Sequence, residues 1–392
     1  MLIRWCRLRK NLFSPRLMRR DETTGWAGLR AVLAIGVALA LIAVNSFAAD
    51  DSDAGSMATT KLTVGLWVAN GTNVLEFGPN QILNKVFTSG KPLLTLKSSA
   101  FASTQGVLFD NAGDLWVIDG GTTFAGGRVT PALEMFTPAQ LKTAAKKGGM
   151  PSPSVLITTS LSTLVFPQQA VFDGSGNLWV SDNGGNQLFV FGASQLTKTA
   201  QVVPLVTITA GPAFNGPLGI AFDGDGNLWI ANNGTTTIFE FDQGHLPVLG
   251  TTPTSVELDP DLILSNNGNS IQAPWALIFD AGGNLWSSNA NPPFTIVEFA
   301  KANLNTTADP APAVTISPTT VGKKMIPSLN SPNGISFDNT GGLGVANSIP
   351  VFSVVRYSAD QLTTGGAIVP TALVSIKGLI APAGDNFGPL IK

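Results

Sequence analysis

The chain has 392 residues, is 12% charged and 44% hydrophobic, and carries a formal net charge of −2. Eight of its 23 basic residues but only two of its 25 acidic ones fall in the first 49 positions, which leaves 15 basic against 23 acidic residues and a net charge of −8 beyond them. That balance, with no basic stripe, excludes a nucleic-acid partner, and because the one cysteine, Cys6, lies in the leader, the rest of the chain has no disulfide, thiol nucleophile or Cys metal site.

Residues 1–49 read as a targeting segment. Arg4, Arg7, Arg9, Lys10, Arg16, Arg19, Arg20 and Arg30 form a long basic region, and Met18 offers an internal start. An apolar run over 31–44 follows, then Ser46-Phe-Ala48 with small residues where a signal peptidase reads. This predicts a secretory signal peptide and a secreted or periplasmic protein. The alternative is an uncleaved membrane anchor, since 31–49 is uncharged and just long enough to span. Residues 50–61 are small and polar and read as a flexible lead-in.

From Leu62 a phrase repeats. Phe109-Asp-Asn-Ala-Gly-Asp-Leu-Trp116 recurs at 172–179, 222–229 and 279–286. A fifth copy, 337–344, ends in Gly344 instead of Trp, and an incomplete first copy is Gly65-Leu-Trp67-Val-Ala-Asn70. The fullest unit, Pro217 to Phe241, reads as three short strands joined by Gly- and Asn-rich turns. Six units spaced roughly 50 to 63 residues apart predict an all-β fold: a six-bladed β-propeller of four-stranded blades over 62–392.

The strands are named a to d from the axis outward. Strand a ends in Phe-Asp, b carries Leu-Trp, and c ends in Phe77, Phe136, Phe191, Phe241, Phe299 or Tyr357. Five residues later stands an aliphatic residue (Ile82, Leu141, Leu196, Leu246, Leu304, Leu362), preceded by Gln81, Gln140, Gln195, His245, Asn303 or Gln361, which predicts a short helical turn. Strand d follows, least regular in blade four near 261–264, and c–d segments such as 142–153 are expected to be surface loops. The tail Asn386-Phe-Gly-Pro-Leu-Ile391 resembles the lead-in at 214–220, so residues 387–391 are expected beside 66–69 as blade one's missing inner strand, closing the ring.

The run Pro-x-Gly-Ile-x-Phe-Asp-x-x-Gly-Asn-Leu-Trp-Val-x-Asn resembles NHL repeats, which grade into the SMP-30/gluconolactonase-like propellers. The resemblance covers nearly all of 62–391 and implies the six-bladed fold. It implies no single activity, because such propellers host lactonases, lyases and binding platforms.

Candidate chemistry is sparse. His245 sits on the outer helical turn, away from where a general base belongs, and streptogramin lyases of this fold class use a His–Glu pair near the axis that has no match here. The 223–227 stretch, Asp-Gly-Asp-Gly-Asn, reads as a structural turn, not an EF-hand loop, which would need a distant Glu. Glu76, Glu240 and Glu298 precede the strand-c aromatic and are expected to be solvated or paired with polar neighbours. The five Trp residues are expected to fill the wedges between blades.

The b–c turns and d–a connections share one face. There stand Asn70, Asp119, Asp182, Asn183, Asn232, Asn289 and Asn347, with Gln105, Gln168, Asn215, Gln272, Trp275, Asn333 and Asn386 from the connections, a candidate ligand-binding face. SMP-30-type lactonases hold a divalent metal on this face with Glu, Asn and Asp, so the resemblance implies Asp119, Asp182 and Asn232 as ligands of a divalent cation such as calcium. The early Glu of that family has no match, because Leu62-Thr-Val-Gly precedes the first Trp. The same residues could equally cap the turns. Two readings follow: an exported, monomeric platform that binds a small polar ligand or another protein, or a metal-dependent lactonase-like hydrolase or lyase. A membrane contact is expected only if the leader is retained.

Overall fold

The computed structural model describes residues 61–391 apart from 84, 88–90, 125, 126, 161, 162, 267, 269, 323, 324 and 350. The leader at 1–49 and most of the lead-in therefore lie outside the described residues.

Six antiparallel blades form a ring. Blade one is Pro382–Pro389, Val64–Asn70, Val74–Phe77 and Leu94–Leu96, in order a to d. Blade two is Thr104–Phe109, Leu115–Asp119, Ala132–Phe136 and Val155–Thr158, and blade three is Pro167–Phe172, Leu178–Asp182, Gln187–Phe191 and Val206–Thr209. Blade four is Pro217–Phe222, Leu228–Asn232, Thr237–Phe241 and Leu262–Leu264; blade five is Pro274–Phe279, Leu285–Asn289, Ile296–Phe299 and Val314–Ser317; blade six is Pro332–Phe337, Leu343–Asn347, Ser353–Tyr357 and Ala372–Val374. Each inner strand packs beside the next, and Pro382–Pro389 touches the inner strands of both blades six and two, so the chain's end closes the circle.

The tail strand is present, but its register differs from the expected one. Phe387 pairs with Leu66 and Pro382 with Asn70, as Phe222 pairs with Leu228 and Pro217 with Asn232. The repeat that matters is Pro382-x-Gly-x-x-Phe387, matching Pro217-x-Gly-x-x-Phe222, and not the Gly388-Pro-Leu phrase. Asn386 is accordingly an inner-strand residue opposite Trp67, not part of a d–a connection. The glycine of this phrase has a steric reason. A Cβ on Gly219 would lie 2.5 Å from the Trp275 carbonyl of the next blade, one on Gly106 2.8 Å from that of Gln168, and one on Gly334 would strike Asp385. Inner strands near the axis converge too closely for a side chain there.

The c–d segments are not simple surface loops. Ala200–Gln201, Thr254–Glu257, Gly366–Ala367 and Lys85–Phe87 each add a parallel fifth strand to the outer edge of the preceding blade. Blade four receives one bridge, from Ala308 to Leu264. Blade one instead receives the helix Pro138–Lys147, whose Leu141 and Ala144 pack on Leu94 and Leu96. Every blade is thus clasped by its successor, which covers the strand edges that would otherwise be open. The repeated Gln is the clamp of the helical turn. Its side chain accepts the strand-exit N–H and donates to the carbonyl ahead of strand d: Gln81 joins Gly78 to Lys91, and Gln195 joins Gly192 to Val203.

The core lies between blades. Its six clusters each combine two neighbours; one joins Trp67, Leu94 and Leu96 of blade one to Phe109, Leu115 and Phe136 of blade two. Each Trp meets the strand-a Phe of the following blade edge-on, from Trp67 with Phe109 at 5.5 Å to Trp116 with Phe172 at 6.0 Å.

Candidate interaction face and inter-blade sites

The residue ending each strand b occupies one structural position, and all six are buried. Asn70, Asp182, Asn232, Asn289 and Asn347 are 0% exposed and Asp119 is 1% exposed. Each turns onto the backbone of the d–a connection instead of into the channel. Asn232 accepts the Asn215 N–H at 2.8 Å and donates to the Ala213 carbonyl at 2.9 Å. Asn289 does the same with Gln272 and Ser270, Asn347 with Asn330 and Ser328, and Asn70 with Ile380 and Gly378. Asp119 accepts N–H groups of Ala102, Ser103 and Gly121, and Asp182 those of Val165 and Phe166. Burial pushes both aspartate pKa values up and these amide donors pull them back. Asn183 is half-buried beside Gly216.

Asp119, Asp182 and Asn232 thus sit in three successive blades, each bound to its own connection. Among the described residues no group of three or more His, Asp or Glu side chains converges in metal-binding geometry. The channel itself is bridged: Gln169 of blade three donates to the Asn333 carbonyl of blade six, directly opposite, at 3.4 Å.

The same face carries exposed apolar side chains. Phe166 leads into blade three, Met325 into blade six and Ile380 into blade one, and Ile349 stands in the b–c turn of blade six; their exposures are 37%, 64%, 47% and 60%. Two small hairpins also rise from this face, Thr122–Phe124 with Gly127–Val129, and Thr320–Val321 with Ile326–Pro327.

The opposite face holds the Phe-Asp turns, and here the repeat shows its polar logic. In blades two to five the motif aspartate accepts the indole N–H of its own Trp: Asp110 from Trp116, Asp173 from Trp179 and Asp280 from Trp286 at 3.0 Å, and Asp223 from Trp229 at 2.9 Å. Its other oxygen takes two backbone N–H groups of the turn, as Asp223 does from Asp225 and Asn227. The Asp-Gly-Asp-Gly-Asn stretch is this turn. In blade six Gly344 replaces Trp, and the cross-strand Arg356 supplies the donor, with Nε 2.6 Å from Asp338 and a terminal nitrogen 2.8 Å from Thr340. Blade one lacks the Asp, and Trp67 donates to the Pro389 carbonyl at 3.3 Å.

The three glutamates that directly precede the strand-c aromatic are not solvated. Glu76, Glu240 and Glu298 are 0%, 7% and 9% exposed, and lie across from Trp67, Trp229 and Trp286. Glu76 accepts the Ile391 N–H at 2.9 Å, and burial lifts its pKa to about 7. Sequence reasoning missed Glu134, which faces the wedge between blades one and two with neither oxygen hydrogen-bonded among the described residues. Burial, then the charge of Asp119, raises its pKa to about 9. It also missed Asp385, which stands where other inner strands are apolar and accepts the Ser336 hydroxyl at 3.0 Å. His245 lies on the outer rim, 2.6 Å from Asp261.

No protein-family model and no curated protein matches this sequence. Solved structures do. A structure of the nidogen/laminin complex matches with TM-score 0.55 and 13% identity over 84% of this chain and 99% of that one. A protein of unknown function from Bacteroides caccae matches with TM-score 0.52 and 11% identity over 84% and 100%. A candidate 6-phosphogluconolactonase from Bacteroides uniformis matches with TM-score 0.50 and 12% identity over 83% and 100%. At these identities the likeness carries architecture and not activity: residues 61–391 form a six-bladed β-propeller scaffold.

Proposed function

We propose that this chain is an exported NHL-type interaction platform whose b–c face binds another protein. The observation that carries this reading is the apolar set Phe166, Met325, Ile349 and Ile380 on a face whose strand-end amides and carboxylates are turned inward. Met325, Ile349 and Ile380 belong to adjacent parts of blades six and one. The exposed Leu93, Met150, Val203, Val248 and Val369 instead lie on five different c–d segments around the rim. Grouped exposed apolar side chains mark interaction sites more often than scattered ones do. A metal-assisted hydrolase here would need free carboxylate oxygens, and Asp119 and Asp182 are engaged by backbone donors. Export is supported by the basic leader, apolar run and Ser46-Phe-Ala48.

Photo-crosslinking residues placed singly at Met325, Ile349 and Val248 in the producing cell test the reading. Discrete adducts from the first two positions and none from Val248 are expected; equal labelling at all three, or none, would overturn it. N-terminal sequencing of the extracytoplasmic protein should begin at Ala49 or Asp50, and an intact Met1 or Met18 would refute cleavage.

A further inference from the structure

On the face opposite the apolar set, a groove of about 540 Å³ opens between blades four and five. Its walls carry Asp223, Asp225, Asp242, Asp261, Asp280 and Glu240, its apolar floor is Trp229 and Phe279, and Lys301 stands at its rim. Asp223, Asp242, Asp261 and Asp280 each spend oxygens on hydrogen bonds within the chain. Glu240 does not. It is 7% exposed, lines the groove, and accepts no hydrogen bond among the described residues. Burial, then the charges of Asp261, Asp223 and Asp242, lifts its pKa to about 7, against a smaller opposing pull from His245. A carboxyl that faces a groove walled by like charge, with no donor among the described residues, favours a cation beside it.

The residue paired across from the Trp position is Glu76 in blade one, Met135 in blade two, Val190 in blade three, Glu240 in blade four, Glu298 in blade five and, across from Gly344, Arg356 in blade six. The carboxyl of Glu298, like that of Glu240, accepts no hydrogen bond among the described residues, but it is Glu240 that lines the groove. In blade one the chain's own tail covers the glutamate with the Ile391 N–H. In blade six the position is itself a guanidinium, bound to the motif aspartate Asp338. In blade four no donor among the described residues reaches Glu240. The Lys301 ammonium sits 3.9 Å from Asp225, which also lines the groove.

We infer that this groove binds a small organic polycation, with one cationic nitrogen at Glu240 over the Trp229–Phe279 floor and another toward Asp242 and Asp261. Carboxylates supply the charge, and an aromatic floor suits the alkyl stem and the cation. The groove's size is in the range of small-ligand sites.

Calorimetry on the purified propeller with spermidine tests this. The expected result is one site, weakened at least tenfold in Glu240→Gln and tightened in Lys301→Ala, with Asp360→Asn, a charge-matched change in the outer helical turn of blade six, leaving affinity unchanged. Thermal melts of the variants confirm that each is folded. No binding of spermidine, or equal weakening by Glu240→Gln and Asp360→Asn, would overturn the proposal. So would Glu240-dependent binding of calcium alone or of trilysine alone, which would assign the groove to a metal or to a peptide.

Discussion

Blades four and six meet the same demand by different means. In blade four Trp229 fills the wedge and its indole N–H satisfies Asp223, while the cross-strand Glu240 has no donor among the described residues. In blade six the indole is gone. Phe387 from the tail lies within 2.9 Å of where a Cβ on Gly344 would stand, and Arg356, 3% exposed, satisfies Asp338. The comparison shows that the Phe-Asp…Leu-Trp phrase is more than a packing signature. It places a carboxylate, half-buried in blades two to five and buried in blade six, beside an N–H donor from the next strands, an indole in the first four and a guanidinium in the last.

The strongest way to break the comparison is to remove what blade six borrows. Deleting 382–392 takes away blade one's inner strand, the filler Phe387, and the Ser336–Asp385 contact. Cooperative unfolding should be lost, and hydrogen exchange should show blades six and one losing protection before blade four. Protection equal to the full chain's would contradict ring closure by the tail.

Arg356→Ala comes next. It leaves Asp338, 7% exposed, without its guanidinium, so urea unfolding should show a loss of about 3–5 kcal/mol. The matching change in blade four, Trp229→Phe, keeps the ring and its contact with Phe279 but removes the indole N–H. Asp223 retains Asn227 as a donor, so the loss should be smaller, about 1–2 kcal/mol.

Glu134 tests the same rule with no donor among the described residues. Its folded-state pKa of about 9 lies above the ordinary value of 4.5, so its protonated form is favoured by folding. Stability from this group is complete below the unfolded pKa and falls as pH rises toward 9. Glu134→Gln should flatten that fall and stabilise the protein by about 1–3 kcal/mol at pH 8. An unchanged pH profile would show that Glu134 is hydrated in solution.

Much of this architecture is legible in the sequence because a propeller writes its period six times. The strand order, the Trp wedges and the helical turn after strand c follow from recurring Phe-Asp, Leu-Trp and Gln-aliphatic pairs. The tail's register was obscured because Gly388-Pro-Leu imitates the lead-in at 216–218, whereas the pairing follows Pro382 and Phe387. The strand-end Asn and Asp residues were readable as a set, but not their direction. Whether Asn232 faces a channel or the backbone of 213–215 depends on the path of a connection whose sequence varies between blades. Glu134 left no periodic trace, since it occurs once and two residues before its aromatic. Arg356 could have been found: it is the strand-c residue of the single full copy that lacks a Trp.

The most direct test installs blade six's solution in blade four. Glu240→Arg places a guanidinium across from Trp229, within a groove walled by Asp223, Asp261 and Asp280. If this position requires a cationic donor, the variant should melt about 2 °C or more above the parent and should no longer bind spermidine. A lower melting temperature together with undiminished spermidine binding would contradict that requirement.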